Sequence, residues 1–283
     1  MQLSDPRHLQ SFLKEEGLRA QKRFSQNFLV DAMVLHRIVD ETMREGIQRV
    51  LEIGPGPGVL TEELLKRGAQ VWAIELDRGM AQALERRSHP NLTVIQADAL
   101  QCSLEPIEQG GVEVMVGNLP YAITAPLLGR FLPMHTRFKR LVVMVQWEVA
   151  QRLLAVPGTK QWGLLSLFVQ ACSTPKLVCR VPSSSFRPQP KVDSAVVSLE
   201  LRAPPERMEE AMVWAKRAFQ QRRKMLRSSL SGYVEREALD WALRQASLRP
   251  EQRPEELNLD QWLSLLQSLA LSNREEPIAT QQC

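Results

Sequence analysis

The chain has 283 residues, long enough for one full α/β domain and a smaller second one. Hydrophobic residues make up 44% and charged residues 24%, the balance of a soluble globular protein, and no run of eighteen apolar residues offers a transmembrane helix. The four cysteines form no CxxC pair and the histidines are scattered, so neither a disulfide framework nor a metal site is expected, and a reducing cytoplasm fits. A net charge of +4 is modest and informs only through its distribution.

Residues 1–30 read as an N-terminal arm, whose first sixteen residues carry Asp5, Glu15 and Glu16 without an apolar h-region and so read as neither a signal nor a transit peptide. Within it, Gln21-Lys22-Arg23-Phe24-Ser25-Gln26-Asn27-Phe28-Leu29 begins basic and becomes amide-rich with two aromatic residues. Asp31 suits the N-cap of a helix running to about Glu45, with Gly46 as its stop. Short apolar runs at 50–53, 70–75, 92–96, 112–117 and 140–146 predict strands. Amphipathic segments at 59–67, 79–88, 124–131 and 147–154 predict helices between and after them. Such alternation predicts βαβ units and a parallel sheet. A helix at 162–170 and strands near 173–181 and 191–201 follow, the strands enclosing a Pro/Ser-rich loop. Ala203-Pro204-Pro205-Glu206 reads as a linker, and 207–271 as helical only. Two domains are expected, 1–202 and 203–283, the second ending in a polar tail.

The run Val50-Leu51-Glu52-Ile53 feeds a loop with Gly54, Gly56 and Gly58 in alternation, from which an amphipathic segment leaves. A strand ending in a tight glycine turn beneath a helix start is how α/β sheets meet nucleotides. The spacing is G-x-G-x-G, one residue short of the dinucleotide fingerprint. Glu52 places a carboxylate near the strand end, which repels a pyrophosphate and attracts an ammonium. Glu75 ends the second strand, where an acid accepts from ribose hydroxyls; Asp98 follows the third, within reach of an adenine amine. Each has a plainer reading: Glu75 as a solvated strand end, Asp98 as a helix cap. Together, in this order, they describe an adenosine with a cationic tail.

After the fourth strand comes Gly117-Asn118-Leu119-Pro120-Tyr121, at the sheet edge where α/β ligands sit. Its plain reading is a turn with a tyrosine packed on it. Its chemical reading begins from the exocyclic amine of adenine, a poor nucleophile because its lone pair is delocalised into the ring. Acceptors aimed at the N6 hydrogens let that nitrogen pyramidalise. The Asn118 side-chain oxygen and the Leu119 carbonyl are such acceptors, Pro120 removes a competing N–H, and Tyr121 offers a face for a base.

These motifs, together with QKRFSQNFL, AIELD, ADAL, FRPQPKVDSAVVSL and AFQQRRKMLRSSL, make the chain resemble the small-subunit ribosomal RNA adenine dimethyltransferases (the KsgA/RsmA family) from about Lys22 to Leu230. The resemblance implies a Rossmann-like class I S-adenosylmethionine-dependent methyltransferase sheet with a smaller all-helical C-terminal domain. It implies S-adenosylmethionine as methyl donor, S-adenosylhomocysteine as product and no metal. The implied substrate is a pair of adjacent adenines near the 3′ end of 16S rRNA in an immature small subunit. Cofactor contacts are implied for Asn27 and Leu29 with Gln26 nearby, for Gly54 and Gly56 in the loop, and for Glu75, Asp98 and Asn118. Tyr121 and Phe186 are implied to hold the target base between them, which requires a flipped or unpaired nucleotide. Phe186 also suits a loop anchor in the core. Ser25, Ala122 and Gln189 depart from the usual family pattern and bear on rate and substrate preference rather than on reaction type.

Between Trp214 and Arg227 lie Lys216, Arg217, Arg222, Arg223, Lys224 and Arg227 with no acidic residue among them. On one continuous helix Lys216, Gln220, Arg223 and Arg227 share a stripe opposite Trp214, Ala215, Ala218 and Phe219. A charge run is commonly only a solvated face, but cations without a compensating acid favour phosphate binding. Lys216, Arg222, Arg223, Lys224 and Arg227, with Lys22 and Arg23, are the expected RNA contacts; a break near Gln221 would split the stripe. The expected protein is a cytoplasmic monomer with no DNA or membrane partner. The alternatives are a large-subunit methyltransferase of the erythromycin-resistance type and a mainly non-catalytic assembly factor.

Overall fold

The computed structural model describes residues 3–21 and 26–272. Asp5 caps α1 (Pro6–Glu15), and Asp31 caps α2 (Ala32–Thr42) by accepting from the backbone N–H groups of Met33 and Val34. Between them β1 (Phe28–Leu29) pairs antiparallel with β8 (Phe186–Arg187), a two-stranded ribbon too short to show as a period in the sequence. Helix α2 ends at Thr42, before a 3₁₀ turn over Arg44–Gly46.

The alternating segment folds as predicted. Strands β2 (Arg49–Ile53), β3 (Gln70–Glu75), β4 (Leu92–Gln96), β5 (Val114–Asn118) and β6 (Arg140–Gln146) run parallel. Between and after them stand α3 (Val59–Lys66), α4 (Arg78–Glu85), a short α5 (Glu105–Gln109), α6 (Thr124–Phe131) and α7 (Trp147–Leu153). Strand β9 (Ser194–Leu201) joins β6 antiparallel, and β7 (Ser173–Val181) closes the edge, giving the order β4-β3-β2-β5-β6-β9-β7. Strands β2, β5 and β6 are apolar and buried along nearly their whole lengths, as a sheet covered on both faces requires. At the other end from the glycine loop, the fully buried Arg140 donates to Glu200, to the Glu41 carbonyl and to Glu45, so its charge is paired where water cannot reach it.

The chain divides into two compact units: one runs to Leu154 and resumes at Cys172–Ala203; the other combines Ala155–Ala171 with the chain from Pro204 onward. The sequence reading put 155–171 in the first domain. They pack instead with the second, because Trp162 is buried in its core with Leu167 and Trp262 and donates its indole N–H to the Leu257 carbonyl at 3.0 Å. This unit holds α8 (Leu164–Cys172) up to its last residue, α9 (Met208–Phe219), α10 (Leu226–Leu230), α11 (Arg236–Gln245) and α12 (Leu259–Ser272). The single helix expected across 214–227 is two, separated by a turn at 220–225.

Candidate active site

The strand order reverses at β2: the chain winds outward through β3 and β4, then returns to β5 on β2's other side. Loops at the carboxyl ends of β2 and β5 therefore part, and a crevice opens between them. A cavity of about 360 Å³ lies there, lined by Gln26, Asn27 and Leu29 from the N-terminal segment, by Glu52 and the glycine loop, and by Glu75, Asp98 and Asn118 through Tyr121. Every cofactor residue expected from the sequence borders this one space.

The glycine loop explains its own composition. Gly54, Gly56 and Gly58 all have positive φ, and a Cβ on Gly56 would stand 3.1 Å from the Phe28 ring. Gly56 donates its N–H to one oxygen of Glu75 at 2.9 Å, and Asp77 donates to the other at 2.8 Å. Both oxygens retain lone pairs for ribose hydroxyls. Burial pushes the Glu75 carboxyl above the usual range against these two donors. Asp98 lines the cavity while accepting the Leu100 N–H at 2.8 Å, and it closes a turn and not a helix, the next helix beginning only at Glu105.

Glu52 is only 2% exposed and accepts the Thr61 hydroxyl at 2.6 Å. Burial, with the Glu75 charge adding to it, raises its pKa to about 7. Among the described residues no cation pairs with this acid.

Asn118 ends β5 opposite Met144. Its side-chain NH₂ donates to the Asn27 carbonyl at 2.8 Å, so the amide's orientation leaves the oxygen as the acceptor. Gly117 permits this placement, because a Cβ there would lie 2.7 Å from the Ile53 carbonyl oxygen. Leu119 donates its N–H to the Met144 carbonyl, Pro120 leads into the 3₁₀ turn Tyr121–Ile123, and the half-buried Tyr121 hydroxyl meets the Ser194 hydroxyl at 3.0 Å. Asn118 and Tyr121 thus border one cavity with Glu52, Glu75 and Asp98.

Phe186 corrects an expectation. It does not line the cavity: its backbone pairs with Leu29 and its side chain is wholly buried in the core cluster that includes Leu29, Val181 and Val196. Here it is a core anchor with no face exposed for stacking. Sequence reasoning also missed Thr61 and Asp77, the partners of Glu52 and of the N-terminal amides. Asp77 carried a visible signal, a helix cap directly after AIEL.

The basic segment divides. Lys216, Arg223 and Lys224 are exposed. Arg222 instead bonds to Glu255 and donates to the Lys160 carbonyl at 2.6 Å, and Arg227 pairs with Asp240. The compensating acids stand 13 and 33 residues away in sequence, which is why the local charge count overlooked them. Arg217 lies over the rings of Trp214 and Tyr233, at 4.7 and 4.8 Å. Lys22 and Arg23 lie outside the described residues. Among the described residues no cluster suits a metal, and no helix is long and apolar enough to cross a membrane.

Topology and cavity together define a Rossmann-like class I methyltransferase. The family model described as "Ribosomal RNA adenine dimethylase" matches residues 17–271. The ribosomal RNA small subunit methyltransferase A of Thermosynechococcus vestitus is 40% identical over 264 residues, 89% of this chain and 97% of that protein. The protein of the same name from Protochlamydia amoebophila is 36% identical over 97% of this chain and 100% of its own length. Among solved structures, a dimethyladenosine transferase from Plasmodium falciparum superposes with a TM-score of 0.74 at 26% identity, covering 87% of this chain and 98% of that one. The 23S rRNA methyltransferase ErmE superposes with a TM-score of 0.66 at 28% identity, covering 86% and 100%. The chain belongs to the ribosomal RNA adenine dimethylase family.

Proposed function

We propose that this protein transfers methyl groups from S-adenosylmethionine to N6 of two adjacent adenines near the 3′ end of 16S rRNA, giving N6,N6-dimethyladenosine during small-subunit biogenesis. The observation that carries the reading is the Asn118 amide, turned by the Asn27 carbonyl so that its oxygen is an acceptor beside a cavity that Glu52, Glu75 and Asp98 also line. S-adenosylmethionine supplies an electrophilic methyl group on a sulfonium centre. The chain's residues hold and orient. Glu75 accepts from ribose, Asp98 from the adenine amine, and Glu52 in its ionised form attracts the amino-acid ammonium. Gln26, Asn27, Leu29, Gly54 and Gly56 supply the remaining walls.

On the substrate side, Asn118 Oδ1 and the Leu119 carbonyl accept from the N6 hydrogens. The nitrogen then pyramidalises, and positive charge developing on it is stabilised by oxygens already in place. Tyr121, fixed by Ser194, presents its ring to the base. The methylated ammonium is acidic enough to lose its proton to water, so no strong general base is needed. Lys216, Arg223 and Lys224 bind phosphates without regard to sequence, and the pocket selects the flipped adenine. The domains of this reading are a catalytic unit and a helical RNA-binding unit, working as a cytoplasmic monomer.

The curated relatives named above carry the small-subunit name, which favours that substrate over the large-subunit one of ErmE. The test offers labelled S-adenosylmethionine with naked RNA, DNA, and immature small or large subunits. Label in dimethyladenosine of the small subunit is expected. Label confined to DNA or to the large subunit overturns the substrate, and no label on any of them overturns catalysis in favour of an assembly factor.

A further inference from the structure

One acid at the edge of the cofactor cavity is more heavily bonded than its local role demands. Asp77 is buried and caps α4, accepting the N–H groups of Gly79 and Met80 on Oδ1 at 2.9 and 3.3 Å. A helix cap needs only that oxygen. The second oxygen accepts the side-chain amides of Gln21 at 2.6 Å and Gln26 at 3.4 Å. Gln26 in turn accepts the Gln21 backbone N–H at 2.8 Å on its own side-chain oxygen, which leaves its NH₂ to face Asp77. Asp77 itself does not line the cavity, whereas Gln26 and Asn27 do.

We propose that Asp77 is a positioning residue of the cofactor site: it latches Gln26–Asn27 against the end of β3 and thereby sets how long the methyl donor and its product stay bound. The proposal rests on the cofactor reading given above. Bonds run from both ends of Asp77 toward cofactor-facing groups. Its backbone N–H orients Glu75, the ribose acceptor, and its carboxylate holds Gln26. The next residue, Asn27, gives its carbonyl to Asn118. One connected path therefore crosses from the wall after β3 to the wall after β5. Its Asp77 end is charge-assisted, and such bonds are roughly twice as strong as neutral ones.

The consequence is kinetic. Two methyl groups on each of two adenines consume four donors per substrate, so product must leave and fresh donor must enter between transfers. The latch governs that exchange. It leaves the alignment of N6 with the methyl group to Asn118.

The test compares Asp77→Ser, Gln21→Leu and the double variant. Serine still caps α4 but lacks the latching oxygen. Donor and product affinities are measured by calorimetry without RNA, and dissociation by stopped flow. Each single variant is expected to bind both ligands about tenfold more weakly through faster dissociation, the worth of about one charge-assisted hydrogen bond. The double variant is expected to match Asp77→Ser, because the Gln21–Asp77 bond that Gln21→Leu removes is already lost in it. In turnover, the loss should appear in KM for the donor and not in kcat. Unchanged affinities, multiplicative losses in the double variant, or a loss confined to kcat would overturn the latch. If Asp77→Ser fails to fold, Gln21→Leu, whose backbone caps nothing, decides alone on affinity and dissociation rate. Wild-type protein that binds donor but leaves small subunits unmethylated refutes the substrate reading and not the latch. Failure to bind donor refutes both.

Discussion

Replacing Glu52 by Gln should stabilise the protein without ligand and weaken its hold on the methyl donor. Glu52 is wholly buried, with a carboxyl raised from 4.5 to about 7, chiefly by burial. Below 4.5 the group is protonated in folded and unfolded chains alike and contributes nothing to their difference. Between 4.5 and about 7 the folded state keeps a proton that the unfolded chain has released, so stability falls as pH rises. Above about 7 the folded state bears the full cost of a buried carboxylate, about 3 kcal/mol from the size of the displacement. Glutamine keeps an oxygen for the Thr61 hydroxyl and carries no charge. In urea titrations E52Q should exceed wild type by about 3 kcal/mol at about pH 8, shrinking toward zero near pH 4.5. A stability difference that does not change with pH, or a less stable E52Q at high pH, would refute the reasoning. The same titration acts on binding with the opposite sign. The ionised form attracts the donor's ammonium, so wild-type affinity should rise through pH 7 with proton release, and E52Q should lose that dependence.

Asn118→Ala should bind donor within about tenfold of wild type while methyl transfer falls at least 100-fold, the usual size for one preorganised acceptor; mass spectrometry of nucleosides reads the outcome, and near-normal turnover contradicts the role. Gly117→Ala forces a Cβ to 2.7 Å from the Ile53 carbonyl oxygen and should cost about 1–3 kcal/mol in thermal or urea unfolding. The exposed pair Arg223→Ala with Lys224→Ala should weaken RNA binding and reduce the salt slope by about 2. Arg222→Ala, which severs bonds to Glu255 and Lys160, should instead lower stability by about 2 kcal/mol with little change in that slope.

The parallel sheet and the order of the acids at its edge were legible in the sequence, because both are local. A strand's apolar run and a glycine's positive φ are properties of a few consecutive residues, and βα spacing brings the ends of successive strands to one edge. Glu52, Glu75, Asp98 and Asn118 therefore border one cavity as their spacing implied. What required the tertiary structure was every pairing across distance. The ring of Phe186 entered the core because β8 pairs with β1, a ribbon of two residues on each side. Arg222 and Arg227 left the basic stripe because Glu255 and Asp240 reach them from later in the chain. Residues 155–171 joined the helical unit because Trp162 found its core there. Sequence determined which residues stand at the edge of the sheet; the fold decided which charges remain exposed, and which buried acid, Asp77, accepts from the amides of Gln21 and Gln26. A composition window contains a residue's neighbours but not its distant partner, and a charge becomes functional or structural only when that partner is in place.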